Sequence, residues 1–348
     1  MSIKLSIAPR TLHFKQPAGT SRGVYTTRQS WFVTATDDAH PDIRGVGECA
    51  PLPDLSCDAT PNYEERLKEL CSMVEAKGSI CYDTLRPYPS VLFGLETALL
   101  DLKRGGTGVL FDNSFARGEA GIPINGLVWM GNYDEMLQRL EEKMRAGFRC
   151  VKLKIGAIDF DRELDLVRHI RSAFTKEQIE LRVDANGGFT VDCALQRLEQ
   201  LAQYDIHSIE QPIRQQQWAA MAALCRATPI PIALDEELIG VNDKADKEML
   251  LDRIHPHYII LKPSLHGGMY GSREWISLAH KRGIGSWITS ALESNVGLNA
   301  IAQFAADVYG ESITMPQGLG TGQLFTDNIP MPLEIRGDKL WRTFKVTK

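Results

Sequence analysis

Hydrophobic positions along the chain follow two regimes. Over residues 1–35 they alternate with polar ones. Ile3, Leu5 and Ile7 are separated by Lys4 and Ser6, Leu12 and Phe14 continue the pattern, and Trp31 and Val33 repeat it beyond a Gly-Thr-Ser-Arg-Gly turn at 19–23. A period of two is that of a half-buried strand. Residues 45–53, Gly-Val-Gly-Glu-Cys-Ala-Pro-Leu-Pro, carry too little periodicity for regular structure and are expected to form a loop. Helical spacing follows over 60–78, through Leu67, Leu70 and Val74, and over 90–103, through Leu92, Leu95, Leu99 and Leu102. Strands followed by helices predict an α+β domain over residues 1–117.

From Ile122 onward a short apolar run recurs, each time followed by a loop and an amphipathic stretch. The runs are 122–128, 150–155, 179–183, 206–209, 230–234, 258–261 and 285–289. Helical segments are expected at 136–146, 161–174, 193–204, 218–227, 244–252 and 271–282. Repeated strand–helix units require a parallel sheet with helical crossovers. So many units within about 190 residues favour a closed α/β barrel, expected over 118–324. The rival open, doubly wound sheet lacks its usual Gly-rich phosphate loop after the first strand. The tail, 325–348, is expected to return to the first domain, with 333–341 as a strand.

Composition narrows the function classes. Hydrophobic residues make up 43% of the chain and charged residues 24%, which excludes a disordered chain, collagen and a coiled coil. The net charge is −5 and no basic stripe is present, so nucleic acid is not an expected partner. No apolar run is long enough for a membrane span, and the alternating N-terminus does not resemble a signal peptide. Seven cysteines without a CxxC pair point to reduced thiols in the cytoplasm and not to disulfides or a zinc site. The oligomeric state stays open, a homo-oligomer included.

The chemistry lies at the strand ends. Lys154, Asp184, Glu210, Asp235 and Lys262 each follow an apolar run, roughly 25–30 residues apart, the length of one strand–helix unit. They therefore sit at similar heights around the C-terminal mouth of the barrel, where active sites of this architecture are built. Three carboxylates gathered there repel one another unless a cation joins them. An all-oxygen set without His or Cys suits Mg²⁺. Lys154 and Lys262 flank the acidic arc. An amine beside a cation and a second lysine, Lys152, has a lowered pKa and suits a general base. Lys152 and Lys154 share one face of their strand, with Leu153 on the other. Asn186 and Gln211 are expected as orienting or contacting residues, and Glu236 as a partner of a lysine.

The segments KxK at 152–154, VDAN at 183–186, IEQP at 209–212, LDE at 234–236 and LKPS at 261–264 resemble the enolase superfamily, in its muconate-lactonizing subgroup. Residues 47–51 and 93–101 are similar to segments of its capping domain, so the resemblance covers essentially the whole chain. It implies a modified (β/α)7β barrel under an N-terminal α+β cap. It also implies an acid–base pair at Lys154 and Lys262 and metal ligands at Asp184, Glu210 and Asp235. A lysine base with Mg²⁺ is that superfamily's established pattern.

Within the subgroup, residues 289–303 and 318–325 are similar to the o-succinylbenzoate synthase family. That resemblance implies dehydration of 2-succinyl-6-hydroxy-2,4-cyclohexadiene-1-carboxylate, a small carboxylate, to 2-succinylbenzoate on the way to menaquinone. Dipeptide epimerases carry an acidic pair for the substrate ammonium near the end of the barrel, and 318–322 has none. Epimerases and N-acylamino-acid racemases nevertheless share the same five residues, and the core motifs leave them open. A catalytically dead barrel would have lost a ligand or a lysine, and neither is missing. For the succinyl tail, Ser264, Ser290 and the amides around Gly267 are candidate donors, with Arg22 a candidate for a carboxylate. Loops 19–23 and 47–53 are expected to close over the mouth.

Overall fold

The computed structural model of the chain describes residues 3–20, 23–128, 132–156, 159–310 and 313–343. Strands β1 (Ile3–Thr20), β2 (Gly23–Asp37) and β3 (His40–Cys49) form an antiparallel meander in chain order. Three helices follow: α1 (Tyr63–Lys77), the short α2 (Tyr82–Leu85) and α3 (Pro89–Lys103). Val33, Ala35, Leu67, Val74, Leu92 and Leu95 form their shared core.

One expectation fails here. Residues 45–49 are not a loop but the end of β3, in register with β2 through Ala35↔Gly45, Val33↔Gly47 and Trp31↔Cys49. The strand was hidden because glycine occupies the positions facing α3. A Cβ on Gly47 would collide with the Gly94 carbonyl, and one on Gly45 with the Ala98 carbonyl. Glycine lets helix and strand approach closely, and it removes the side chains that would have shown the period.

The second half opens with β4 (Ile122–Pro123) and β5 (Gly126–Val128) and continues through α4 (Tyr133–Arg145), β6 (Cys150–Lys154), α5 (Phe160–Ala173) and β7 (Glu180–Asp184). Next come α6 (Val191–Ala202), β8 (Ser208–Glu210), α7 (Trp218–Ala227), β9 (Ile232–Leu234) and α8 (Lys244–Ile254). The chain then runs through β10 (Tyr258–Leu261), α9 (Gly268–His280), β11 (Gly285–Ile288), α10 (Asn295–Tyr309), β12 (Leu333–Arg336) and β13 (Lys339–Arg342). Strands β5 to β11 pair in chain order as one seven-stranded parallel sheet. Residues 317–318 close the ring, bridging Ile124 on one side and Thr289 on the other. The result is the expected TIM-like barrel following an α+β cap.

Three details depart from the sequence reading. The run 122–128 is two strands, because Ile122 pairs with β13 while Gly126–Val128 pairs with β6. Helix α10 carried no helical signal because Val296–Ala306 is buried all round, which leaves no amphipathic stripe. Residues 333–341 are not one strand to the cap but a β12–β13 hairpin against β4. The tail meets residues 1–117 where Phe325 bridges Phe14, with ring centroids 4.5 Å apart, and where Arg342 donates to the Ala116 carbonyl at 2.9 Å.

Buried polar side chains join cap to barrel. Glu96 on α3 accepts the backbone N–H groups of Met269 (2.6 Å) and Tyr270 (3.0 Å) in the first turn of α9. Glu48 on β3 accepts the N–H groups of Ser294 and Gly297 at the start of α10, each at 3.0 Å. Carboxyl oxygens suit these positions because a helix N-terminus presents unpaired N–H donors.

Candidate active site

Ladder register brings the sequence-predicted residues together. Lys154 lies opposite Asp184, and Asp184 opposite Glu210. Asp235 and Lys262 directly follow β9 and β10 on the same rim. Lys152 and Lys154 project to one side of β6, as their spacing requires, while Leu153 is buried on the other. Both ammonium groups reach the same oxygen: Lys154 Nζ donates to Asp184 Oδ2 at 2.7 Å, and Lys152 Nζ to it at 3.1 Å. Lys152 also donates to Glu210 Oε2 at 2.8 Å. Lys262 Nζ donates to Asp235 Oδ2.

Asn186 sits between two of these groups. Its Oδ1 accepts from Lys154 Nζ at 2.7 Å and its Nδ2 donates to Glu236 Oε1 at 2.8 Å. Glu236 therefore bonds an amide here and not the expected lysine. Gln211 Oε1 accepts the N–H groups of Asp235 (3.3 Å) and Glu237 (3.2 Å), fixing the chain as it leaves β9. Both Asn186 (φ 43°) and Gln211 (φ 40°) are left-handed, a conformation that non-glycine residues adopt when surrounding bonds enforce it.

Electrostatics follow from burial and these contacts. Burial pushes the Asp184 carboxyl up, but Lys154 and Lys152 outweigh it and hold the group well below the ordinary carboxylate range. Glu210 goes the other way: burial and the neighbouring Asp184 charge push it up to about 8, against Lys152. Burial disfavours the charged forms of Lys152 and Lys262, yet the carboxylates around them raise both above the usual lysine value.

The donor chemistry fits a divalent cation. Glu210 Oε1 and Asp235 Oδ1 are buried and have no hydrogen-bond partner, so each has lone pairs available. All three acids offer only oxygen. Among the described residues no three acidic, His or Cys side chains stand as a formed metal-holding cluster; lysine ammonium groups occupy one oxygen of each acid.

A cavity of about 580 Å³ opens over these groups, lined by Lys152, Lys154, Asn186, Glu210, Glu236 and Lys262. Of the candidate substrate contacts, Ser290 lines it, with its hydroxyl 2.5 Å from Thr321 Oγ1. Ser264 does not: it is fully buried and donates to Glu293. Gly267 is the left-handed residue preceding α9 and is also off the cavity wall. Arg22 falls outside the described residues. Sequence reasoning did not single out the apolar wall formed by Tyr25, Leu52 and Leu55 from the cap and Leu324 from the barrel's end. Leu52 lies within the loop 47–53 expected at the mouth, whereas Leu55 follows that Pro-rich stretch without periodicity to mark it.

All seven cysteines are free thiols. Among the described residues no helix is long and apolar enough to cross a membrane.

Residues 135–337 match the family described as Enolase C-terminal domain-like, and residues 20–102 match the MenC N-terminal domain. The chain is 47% identical to the o-succinylbenzoate synthase of Desulfotalea psychrophila over 97% of this chain and 98% of that protein. A crystal structure of MenC from Desulfotalea psychrophila is similar with a TM-score of 0.82 and 42% identity, covering 98% of this chain and 100% of that one. The substrate-liganded L-Ala-D/L-Glu epimerase of Bacillus subtilis is similar in fold, with a TM-score of 0.81 at 20% identity over 99% of this chain and 97% of that one. A family match across more than half the chain, with a relative similar from end to end, places this chain in the enolase superfamily.

Proposed function

We propose that this chain is an o-succinylbenzoate synthase, a hydro-lyase converting 2-succinyl-6-hydroxy-2,4-cyclohexadiene-1-carboxylate to 2-succinylbenzoate for menaquinone synthesis in the cytoplasm. One observation carries the reading: end-to-end similarity to a synthase of that activity, 47% identical, in a chain whose two lysines flank one acidic arc. In this reading residues 1–117 form the cap, which the tail meets at Phe325, and 118–324 form the catalytic barrel, with the β12–β13 hairpin against β4.

Asp184, Glu210 and Asp235 would hold Mg²⁺, which when bound supplies Lewis-acid neutralisation of charge developing on the substrate carboxylate. Lys154 removes the proton from the carbon bearing that carboxylate. It acts as the neutral amine, having released its ammonium proton to solvent beforehand, and Asn186 Oδ1 and Asp184 Oδ2 keep it aimed into the cavity. The same amine then protonates the neighbouring hydroxyl as it departs as water, so both transfers occur on one ring face. Lys262, held cationic by Asp235, faces the ring from the opposite side and favours the electron-rich intermediate through a cation–π contact. The cap's Leu52 and Leu55 exclude water from the developing charge.

The test offers purified protein the cyclohexadiene substrate and, separately, a panel of dipeptides and N-succinylamino acids in D₂O. Growth of aromatic absorbance with the first supports the synthase. Exchange of α-protons in the second panel, with no aromatic product from the first, assigns an epimerase or racemase instead.

A further inference from the structure

We infer that His266 is a positioning residue for Lys262, acting through the lysine's backbone. The inference rests on the catalytic role proposed for Lys262.

Strand β10 ends at Leu261, whose carbonyl accepts the last bond from β11, from the N–H of Thr289 at 2.9 Å. Lys262 is the first residue beyond the ladder, and Pro263 then turns the chain away. The Lys262 N–H therefore lies in a half-buried place without a strand partner, and leaving it unpaired would be costly. His266 supplies the partner: its Nδ1 accepts that N–H at 2.8 Å. The Lys262 carbonyl accepts the N–H groups of Leu265 (2.7 Å) and His266 (3.0 Å). The Lys262 backbone is thus fixed on both its donor and its acceptor side by one turn of five residues.

The imidazole suits this duty. It is 1% exposed and does not line the cavity, so it touches neither solvent nor substrate. Because Nδ1 accepts, the ring is the neutral tautomer; its Nε2 proton is buried without a hydrogen-bond partner, a cost carried by a group that adds no charge beside an ammonium that must stay cationic. A second brace comes from Glu293, which accepts the Ser264 hydroxyl and, at 2.6 Å, the N–H of Ala291 on the adjoining rim loop. The rest of β10 is held by ladders on both edges, and α9 is held by Glu96. Losing the His266 bond therefore loosens the Lys262 peptide while leaving the barrel in place.

Two variants separate positioning from plain packing. His266→Leu keeps bulk and removes the acceptor. His266→Asn places a carbonyl oxygen on the same branch as Nδ1 and restores it. With both proteins folded, His266→Leu is expected to lower kcat about 10–100-fold with KM within about 3-fold of the parent. His266→Asn is expected to return kcat to within about 3-fold. Parental kcat in folded His266→Leu overturns the inference, as does a folded His266→Asn that is as slow as the Leu variant. If His266→Leu does not fold, the Asn variant decides alone by the same limits. Parent enzyme assayed alongside separates the two claims: a parent inactive on the cyclohexadiene overturns the proposed function, whereas an active parent with an indifferent His266→Leu overturns only the positioning role.

Discussion

Lys154 and Asn186 meet at 2.7 Å, amine to amide oxygen, and Asn186 reaches this contact from a left-handed backbone. Its own N–H, bonded to Asp184 Oδ1 at 3.0 Å, helps to enforce that conformation. One residue therefore links the proposed base, a proposed metal ligand and Glu236.

The contact predicts the behaviour of Asn186→Ala. The amine loses one of its two acceptors and gains rotameric freedom, so kcat should fall about 10–100-fold while the substrate's carboxylate anchor, and hence KM, changes little. Steady-state kinetics on the cyclohexadiene, with circular dichroism to confirm the fold, checks this. A rise in KM with unchanged kcat would assign Asn186 to substrate binding instead.

Lys152 is predicted to matter for stability as well as for turnover. Its ammonium is the only described cation bonded to both Asp184 and Glu210, two buried acids facing each other across a ladder. Lys152→Ala leaves buried Glu210 without its ammonium partner and Asp184 with Lys154 alone, at a cost of about 3–5 kcal/mol. Added Mg²⁺ should raise the melting temperature of the variant more than that of the parent, because the ion takes over the neutralising role. Thermal melts with and without magnesium measure the difference, and equal shifts would argue against a shared acidic site.

Glu96 gives the junction between cap and barrel a pH dependence. Burial pushes its carboxyl up to about 8, against the two backbone N–H bonds it accepts from α9. Its folded value lies above the ordinary glutamate range, so folding favours the protonated form. The stabilisation is complete below that range and is lost as pH rises through about 8. Urea midpoints should therefore decline between pH 5 and pH 9 in the parent and decline less in Glu96→Gln, which carries no titrating group. Parallel pH profiles for the two proteins would contradict this.

The legible part of the site is the part set by strand spacing. Lys154, Asp184, Glu210, Asp235 and Lys262 share a rim, as their spacing predicts, because a parallel barrel returns the chain there once per strand–helix unit, and register places the first three opposite one another. Ser264 was misplaced for a reason that spacing does not encode. Whether a hydroxyl just past a strand faces the cavity or its neighbour depends on Glu293, a residue of the next rim loop. His266 escaped notice because a lone histidine in an apolar segment has no pattern around it, and its duty is to one backbone N–H. In the fold, the losses fall where the usual signal is absent by construction: Gly45 and Gly47 have no side chains to alternate, and α10 has no polar face.

The central claim is that the Lys154 amine moves the proton. Product formation by Lys154→Ala, followed by absorbance at saturating substrate and magnesium in a protein shown to be folded, tests it most directly. The expected result is loss of turnover by a factor of about 1,000 or more, with magnesium binding retained. Turnover within about tenfold of the parent would contradict the assignment and move the base elsewhere on the rim.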